Sequence, residues 1–562
     1  MLIDFRDNPA LPETDTCVVG AGPIGIAVAL ACEAQGLSVL LIESGREEFD
    51  LAANRLSRAD IVDDRRHAAM SVAVCRGLGG TSRWWGGRCV PYDDFDFIPR
   101  IDVHNAEWPI CHNEIRPWYK AAAEFLGCGQ EFISNPSPPW RHLDSIAFDS
   151  IERWLPQVDM GRRYENRLEH SQLVTCLLGA TVTELQPASN QASIEAITVA
   201  DSTRRNRLPV KRCILACGGL ETTRLLLASS LEKTTAPHAD GLGRYYMGHI
   251  SGKIADIVLA NPETISDHDF FLEDGNFVRR RFTIKPDILA AEQLTNIAFW
   301  IDNPPFHDPA HESGILSLVW FALAIPPLGR RFLPEAVRLI HVGRPPYRYL
   351  AHLRNLLQAP IATVTRAVQI IYAKFLSSPK RPGFLVRNPA GRYALHYHAE
   401  HLPSAYSRVS LSNQFDDLGV RGLSIDLKYG EKDARAVLGA HAVLDQALRK
   451  AGAARLEYHV SEDQRLSSVL DQAADGFHQI GTTRMGISPD NSVVDRNCRV
   501  HGIENLFIAS TSVFPTSGQA NPTFLGVALA LRLAAYLSKD RGRRQISTDT
   551  TEANEAVGAD GL

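Results

Sequence analysis

The stretch from Thr16 to Gly45, TCVVGAGPIGIAVALACEAQGLSVLLIESG, constrains the fold more than any other. Cys17-Val18-Val19 is a short apolar run of the kind that forms a buried parallel strand. Gly20, Gly22 and Gly25 make a G-x-G-x-x-G turn, with Pro23 and Ile24 between the last two glycines. Ile26 to Gln35 is rich in Ala and apolar residues, as suits a helix packed on a sheet. Ser38 to Ile42 is a second apolar strand, closed by Glu43 and Ser44. Together these form a βαβ unit that binds a dinucleotide. The glycines let backbone approach a pyrophosphate, and the helix N-terminus offers it free N–H groups and a positive dipole end. Glu43 is placed to accept hydrogen bonds from both ribose hydroxyls.

At 562 residues the chain is expected to hold two domains or one large composite. Its net charge of −5 carries no nucleic-acid footprint. The ten cysteines include no C-x-x-C and read as reduced core thiols rather than a disulfide frame or a metal site. The N-terminal MLIDFRDNPALPETD lacks a signal-peptide pattern, and the longest mainly apolar run, Ile315 to Ile325, is too short to span a bilayer. The expected location is cytoplasmic.

Beyond the first unit, Arg76 to Phe97 packs five glycines around Trp84 and Trp85, a composition suited to backbone lying against a large planar ligand. Leu173 to Val199 is β-rich. Cys213 to Gly219 is an apolar strand running into paired glycines, followed by a helix from Glu221 to Ser229, and it fits the same sheet as the first unit. The segments SGKIADIVLA, TNIAFWI and SRVSLS alternate like strands with one wet face and are expected in the antiparallel sheet of a second domain. Between Arg330 and Arg381 lie ten Lys/Arg and one acid, Glu335. There Leu350, Leu353, Leu357, Ile361, Val364, Val368 and Ile371 recur at helical spacing. Such a face more often covers the protein's own body or an oligomer interface; a membrane surface or an acidic partner is the alternative. Near the C-terminus, Ala520-Asn521-Pro522-Thr523 starts an apolar helix, with Asn at the N-cap and Pro at N1.

Six motifs, in order along nearly the whole chain, resemble those of the glucose–methanol–choline (GMC) flavoprotein oxidoreductases. They are GAGPIG with Glu43, RGLGGTSRWWGG, ILACGGLETTRLLLAS, SRVSLS, HQIGTTRMG and SVFPTSGQANPT. The resemblance implies FAD, a two-domain fold and oxidation of an alcohol carbon by hydride transfer to the flavin. It places a discontinuous Rossmann-like FAD-binding domain at 1–100, 165–250 and 460–540. A substrate-binding domain, an antiparallel sheet with helices, falls at 101–164 and 251–459, with a basic helical insert at 315–381 and a flexible tail at 541–562. The ANPT version resembles the branch of pyranose oxidases, choline oxidase and bacterial sugar or glycoside dehydrogenases. Pyranose oxidases attach flavin through a His in the loop matching GGTSRWW; the corresponding residue here is Trp84, so non-covalent FAD is expected.

By the same resemblance, the cofactor would be held by several loops. These are Gly20, Gly22, Pro23, Ile24 and Gly25 with Glu43 and Ser44; then Arg76, Gly80, Thr81, Ser82, Trp85, Gly86 and Gly87; then Val182 on the adenine side. Ala216, Cys217, Gly218, Ser510, Asn521, Pro522 and Thr523 complete the set. Alcohol oxidation needs a base for the O–H proton, and His478 in HQIGTTRMG is the candidate. Asn521 would orient the substrate hydroxyl. The helix after it would stabilise negative charge on the reduced flavin. A carbohydrate-like alcohol is the expected substrate, with oxygen or an external carrier as electron acceptor. A simpler or apolar alcohol, entering past Ile315 to Leu328, is the alternative. A flavin protein without turnover and a nicotinamide-dependent Rossmann enzyme are the other classes. No metal is expected.

Overall fold

A computed structural model of the chain describes residues 1–539 other than 101, 102, 104, 105, 142, 230, 232–240 and 334. The tail expected at 541–562 lies outside the described residues. Six short strands form an all-parallel sheet in the order Leu2–Asp4, Val174–Leu178, Val39–Glu43, Thr16–Val19, Cys213–Leu215, Leu506–Ile508. Its central strands are buried along their whole length, which is why they read as unbroken apolar runs. The chain leaves Thr16–Val19 toward Val39–Glu43 on one side, while Cys213–Leu215 pairs on the other. The strand order therefore reverses at Thr16–Val19, and a crevice opens beyond its C-terminal end. Helix Pro23–Ala34 starts there, with Pro23 in its first turn.

A second six-stranded sheet is antiparallel, in the order Ala454–Tyr458, His249–Leu259, Arg392–Glu400, Ile297–Asp302, Phe282–Ile284, Ile146–Ala147. Residues such as Ile297, Phe299, Ile301, Leu395 and Tyr397 join a core with Ala434, Val437, Ala440 and Leu444 of helix Glu431–Lys450. Ser251, Lys253, Trp300, Asp302 and His396 alternate with such positions and face the cavity described below. The wet face expected from the alternation is thus wetted by the site.

SRVSLS departs from expectation. Arg408–Phe415 is not in that sheet; it pairs with Arg421–Asp426, which pairs in parallel with Ala59–Ile61. The buried Arg224, on helix Gly218–Ala228, ties this hairpin down. Its guanidinium donates to the carbonyls of Arg421 (2.7 Å) and Leu56 (2.7 Å) and to the Asp416 carboxylate (2.6 Å).

The basic segment is a cluster of five helices, Gly314–Ala324, Pro326–Phe332, Glu335–Val342, Tyr349–Gln358 and Pro360–Ile371. They enclose a small core of their own around Phe306, Leu316, Trp320, Leu323 and Val342. Ile315 to Leu328 supplies part of that core and does not line the cavity, against the expected greasy entrance. The stripe from Leu350 to Ile371 covers no other part of the described chain: all seven apolar residues are exposed, Leu350 by 83% and Ile361 by 82%. No single helix among the described residues is long and apolar enough to cross a membrane. All ten cysteines are unpaired, and only Cys111 is exposed.

Candidate active site

A cavity of 2280 Å³ opens at the crevice and runs from the glycine turn to the antiparallel sheet. Gly20 has φ +104°, and a Cβ there would lie 2.6 Å from the Ala216 carbonyl oxygen. A Cβ on Gly25 would collide with the carbonyl of Gly20, so that glycine lets the helix close on the turn and does not line the cavity. Gly22 differs: the space its Cβ would take is empty and faces the cavity. Two glycines therefore shape the turn and one keeps a cradle open.

Glu43 is buried and clamps three loops. Its Oε2 accepts from the backbone N–H of Ala21 (2.8 Å), and its Oε1 from those of Gly45 and Gly77 (3.0 Å each). Counting two acceptor positions per oxygen, one remains for a ribose hydroxyl, fewer than the bonds to both hydroxyls expected from sequence. Burial pushes its pKa up, while these N–H groups and Arg76 work against that shift. Arg76 spans the same region, donating to Ser57 Oγ (2.7 Å), Ser44 Oγ (2.9 Å) and Glu221 (2.5 Å). The Trp85 indole N–H donates to the carbonyl of Val158 (2.7 Å), fixing the ring at the cavity wall.

The other end of the cavity holds His478 and Asn521 in contact. Arg88 Nε donates to Asn521 Oδ1 at 2.8 Å. A guanidinium can only donate, so the amide oxygen must face Arg88 and the NH₂ must face the other way. There Asn521 Nδ2 lies 3.0 Å from His478 Nε2. That ring nitrogen is therefore the acceptor and carries no proton.

A second chain of bonds gives the same answer. His249 Nε2 lies 3.2 Å from the carbonyl oxygen of Ser517 and must donate to it. Burial pushes the pKa of His249 down to about 4, so the ring is neutral and its Nδ1 is an acceptor. His478 Nδ1 sits 2.9 Å from that atom and 3.1 Å from Asp475 Oδ2. It is the donor to both. The proton of His478 thus sits on Nδ1, and the unprotonated Nε2 at the cavity holds the Asn521 N–H on its lone pair.

Burial alone would raise the Asp475 pKa; His478 and His249 outweigh it and hold the carboxyl well below its ordinary value. Asp475 also accepts from the backbone N–H groups of Phe477 (2.8 Å), His478 (3.1 Å) and His249 (2.7 Å). His249, His398 and His478 bring ligand atoms within 4.8 Å of one another, a spacing a metal ion could bridge. Yet His398 Nδ1 lies 2.8 Å from the Gln519 carbonyl, and the bonds above engage the other two rings, so hydrogen bonding within the protein accounts for the cluster.

Around this pair the wall carries aromatic rings and paired charges, Lys253 with Asp302 (2.9 Å) and Arg88 with Glu152 (3.2 Å). The guanidiniums of Arg88 and Arg279 each lie 4.9 Å from the centre of the Trp300 ring, which stacks on His396 at 4.4 Å. Burial would lift the Glu152 carboxyl, but Arg279, Arg88 and Arg281 outweigh it and hold it below its ordinary value.

Residues 403–530 match the family described as GMC oxidoreductase. Over its length the chain is 34% identical to paromamine 6'-oxidase of Streptomyces fradiae, covering 96% of this chain and 93% of that one. This chain is a GMC oxidoreductase. It is also 25% identical to 6'''-hydroxyparomomycin C oxidase of Streptomyces lividus, across 94% of this chain and 92% of the relative. Pyridoxine 4-oxidase from Mesorbium loti shares its fold, with a TM-score of 0.51 at 17% identity over 93% of this chain and 98% of that structure. As a GMC oxidoreductase the chain is an FAD-dependent enzyme that oxidises an alcohol carbon.

The cavity fits that cofactor: the cradle at Gly22 is open, a helix N-terminus points at it, and Glu43 keeps one acceptor. The residues expected to hold FAD all line this cavity, Gly25 excepted. Val182 does so from strand Thr181–Pro187, and Ser510, Pro522 and Thr523 from the C-terminal motif. Arg88, Asp475, His249 and Trp300 were not anticipated. The signals were faint: Arg88 follows the glycine pair of RWWGGR, and Asp475 stands three residues before His478 in DGFH.

Proposed function

We propose that this GMC oxidoreductase oxidises a hydroxyl of a sugar, glycoside or polyol, with His478 Nε2 as the base. The observation that carries this reading is the proton placement on His478: two independent hydrogen-bond chains leave Nε2 unprotonated at the cavity. Asn521 retains one N–H and one oxygen lone pair after bonding His478 and Arg88, enough to hold the substrate hydroxyl beside Nε2. The hydroxyl displaces the Asn521 N–H from Nε2, which then takes its proton, and the Asp475 carboxylate beside Nδ1 stabilises the imidazolium that results. FAD, when bound, supplies the hydride acceptor. Thr523 begins a helix over 523–539 whose free N–H groups face the cavity and favour negative charge there.

Two relatives are by name oxidases of paromamine and of 6'''-hydroxyparomomycin C, which supports a carbohydrate-like alcohol. The loop 81–87, TSRWWGG, offers no His or Cys for attachment, which supports non-covalent FAD. Oxygen or an external carrier then reoxidises the cofactor. An apolar alcohol is the second reading, supported by Phe306, Phe332, Leu333 and Ile340 along the same cavity.

Anaerobic bleaching of the flavin by free sugars, glycosides, polyols and long-chain alcohols tests both. Sugars or polyols should bleach it, and His478→Ala should slow that step by about 10²–10⁴ with FAD retained. Near-normal reduction in His478→Ala would remove His478 as the base, and bleaching by apolar alcohols alone would favour the second reading.

A further inference from the structure

Helices Tyr349–Gln358 and Pro360–Ile371 are built inside out. Their buried side chains are the polar His352, Asn355 and Thr363. His352 stacks on Trp320 at 4.0 Å and meets Ser317 Oγ at 3.1 Å. Asn355 donates to Ser317 Oγ (3.2 Å) and to the carbonyl of Pro309 (2.9 Å), while Thr363 packs on Gly314. The polar side is thus satisfied by the protein, and the apolar side is turned out. Leu357 is 71% exposed, and Val364 and Val368 61% each. More than half of the large apolar side chains that the described residues leave exposed fall between Ile325 and Leu376. A patch of this kind marks a docking face.

Charge says what covers it. Arg331, Arg344, Arg348, Arg354, Arg366 and Lys380 are exposed in the same segment, whose single acid, Glu335, is already engaged by Arg330 and Arg338. A second copy of the same face would set this cationic surface against itself. An apolar stripe among unopposed arginines matches a bilayer with anionic headgroups, where side chains enter the acyl boundary and the guanidiniums stay at the headgroups.

We infer that the five-helix insert seats the enzyme on an anionic lipid bilayer through Leu350, Leu353, Leu357, Ile361, Val364 and Val368. Helices Pro326–Phe332 and Glu335–Val342 of this insert also line the cavity through Phe332, Leu333, Leu339 and Ile340. The docked face and the cavity mouth therefore belong to one unit. The proposal does not depend on the identity of the catalytic base.

Sedimentation of the FAD-loaded full-length protein with vesicles tests it. The protein should bind mixed phosphatidylglycerol–phosphatidylcholine vesicles at least about tenfold more tightly than pure phosphatidylcholine. Replacing three exposed residues, Leu357→Glu, Ile361→Glu and Val364→Glu, should lower binding by about a hundredfold or more and leave soluble-substrate turnover unchanged. Arg354→Gln with Arg366→Gln should weaken binding to the anionic vesicles by about 25-fold, since each basic residue near such a surface is worth about fivefold. On the unmodified protein, amide exchange over 349–371 should slow when anionic vesicles are added. Absence of vesicle binding, or binding unchanged in both variants, would overturn the inference. So would a dimer that the triple variant converts to monomer in a protein that ignores vesicles, since a second copy would then be the occupant.

Discussion

Asp475→Asn changes one atom at the acceptor end of the catalytic hydrogen-bond chain, and its consequence can be followed bond by bond. The carboxylate has two oxygens and accepts four N–H groups: Phe477 and His478 backbone on Oδ1, and His249 backbone and His478 Nδ1 on Oδ2. An amide can keep the first pair on its oxygen. Its NH₂ then faces the His249 backbone N–H, which loses its acceptor at a cost of about 1–3 kcal/mol. It also faces His478 Nδ1, and the arrangement is relieved only when that nitrogen becomes an acceptor. The ring proton then moves to Nε2, where it meets the NH₂ of Asn521, held in place by Arg88. The lone pair needed for proton abstraction disappears, and with it a contribution of about 10²–10⁴ in rate. Anaerobic stopped-flow reduction with an alcohol that bleaches the unmodified protein measures this directly. The variant should retain its FAD, since Asp475 lies at the far end of the cavity from the glycine turn. Reduction within about threefold of the parent rate, in fully loaded protein, would refute the proton placement.

Three further outcomes follow from the same geometry. Gly22→Val should fold, with FAD-free stability within about 0.5 kcal/mol of the parent, yet fail to hold FAD, because its side chain enters only the open cradle; Gly20→Val should fail to fold, since φ is +104° and the Ala216 carbonyl is in the way. A yellow Gly22→Val protein would refute the loop assignment. His268 is buried between Trp140, Phe148 and Phe282 with neither ring nitrogen bonded, and burial pushes its pKa down to about 3. Between its ordinary value and that one, the unfolded chain binds a proton that the folded chain does not, so its stability contribution falls as pH falls. His268→Phe should therefore stabilise the protein by about 1–3 kcal/mol at neutral pH and by about 2 kcal/mol more at pH ~5. A thermal-melt gain no larger in acid would contradict this. Acid precipitation of the holoenzyme should release all flavin to the supernatant; a yellow pellet would show a covalent bond.

The parts of the fold that rest on local pattern were legible in the chain itself. Cys17-Val18-Val19, the glycine turn and Glu43 announce a parallel strand, a tight turn and an acid because each is a short-range requirement. His478 and Asn521 were legible through the resemblance of their motifs. What the sequence withheld is contact between distant segments. Arg88 and Asn521 are 433 residues apart, and neither carries a mark that one orients the other. SRVSLS has the alternation of a sheet strand, but alternation does not say which sheet; the buried Arg224 decides that. The stripe at 350–371 had the right period and the wrong presumed direction. Periodicity finds an apolar face, and only the partners of His352 and Asn355 show which way it turns.

The Glu43 clamp has a consequence for how the cofactor loops depend on one another. All three of its bonds are internal, joining the loops at Ala21, Gly45 and Gly77 to one another. Bonds made within the protein lower the ordering cost that binding would otherwise meet in those loops. One buried side chain thus holds three cofactor loops in register, so losing it would release all three at once.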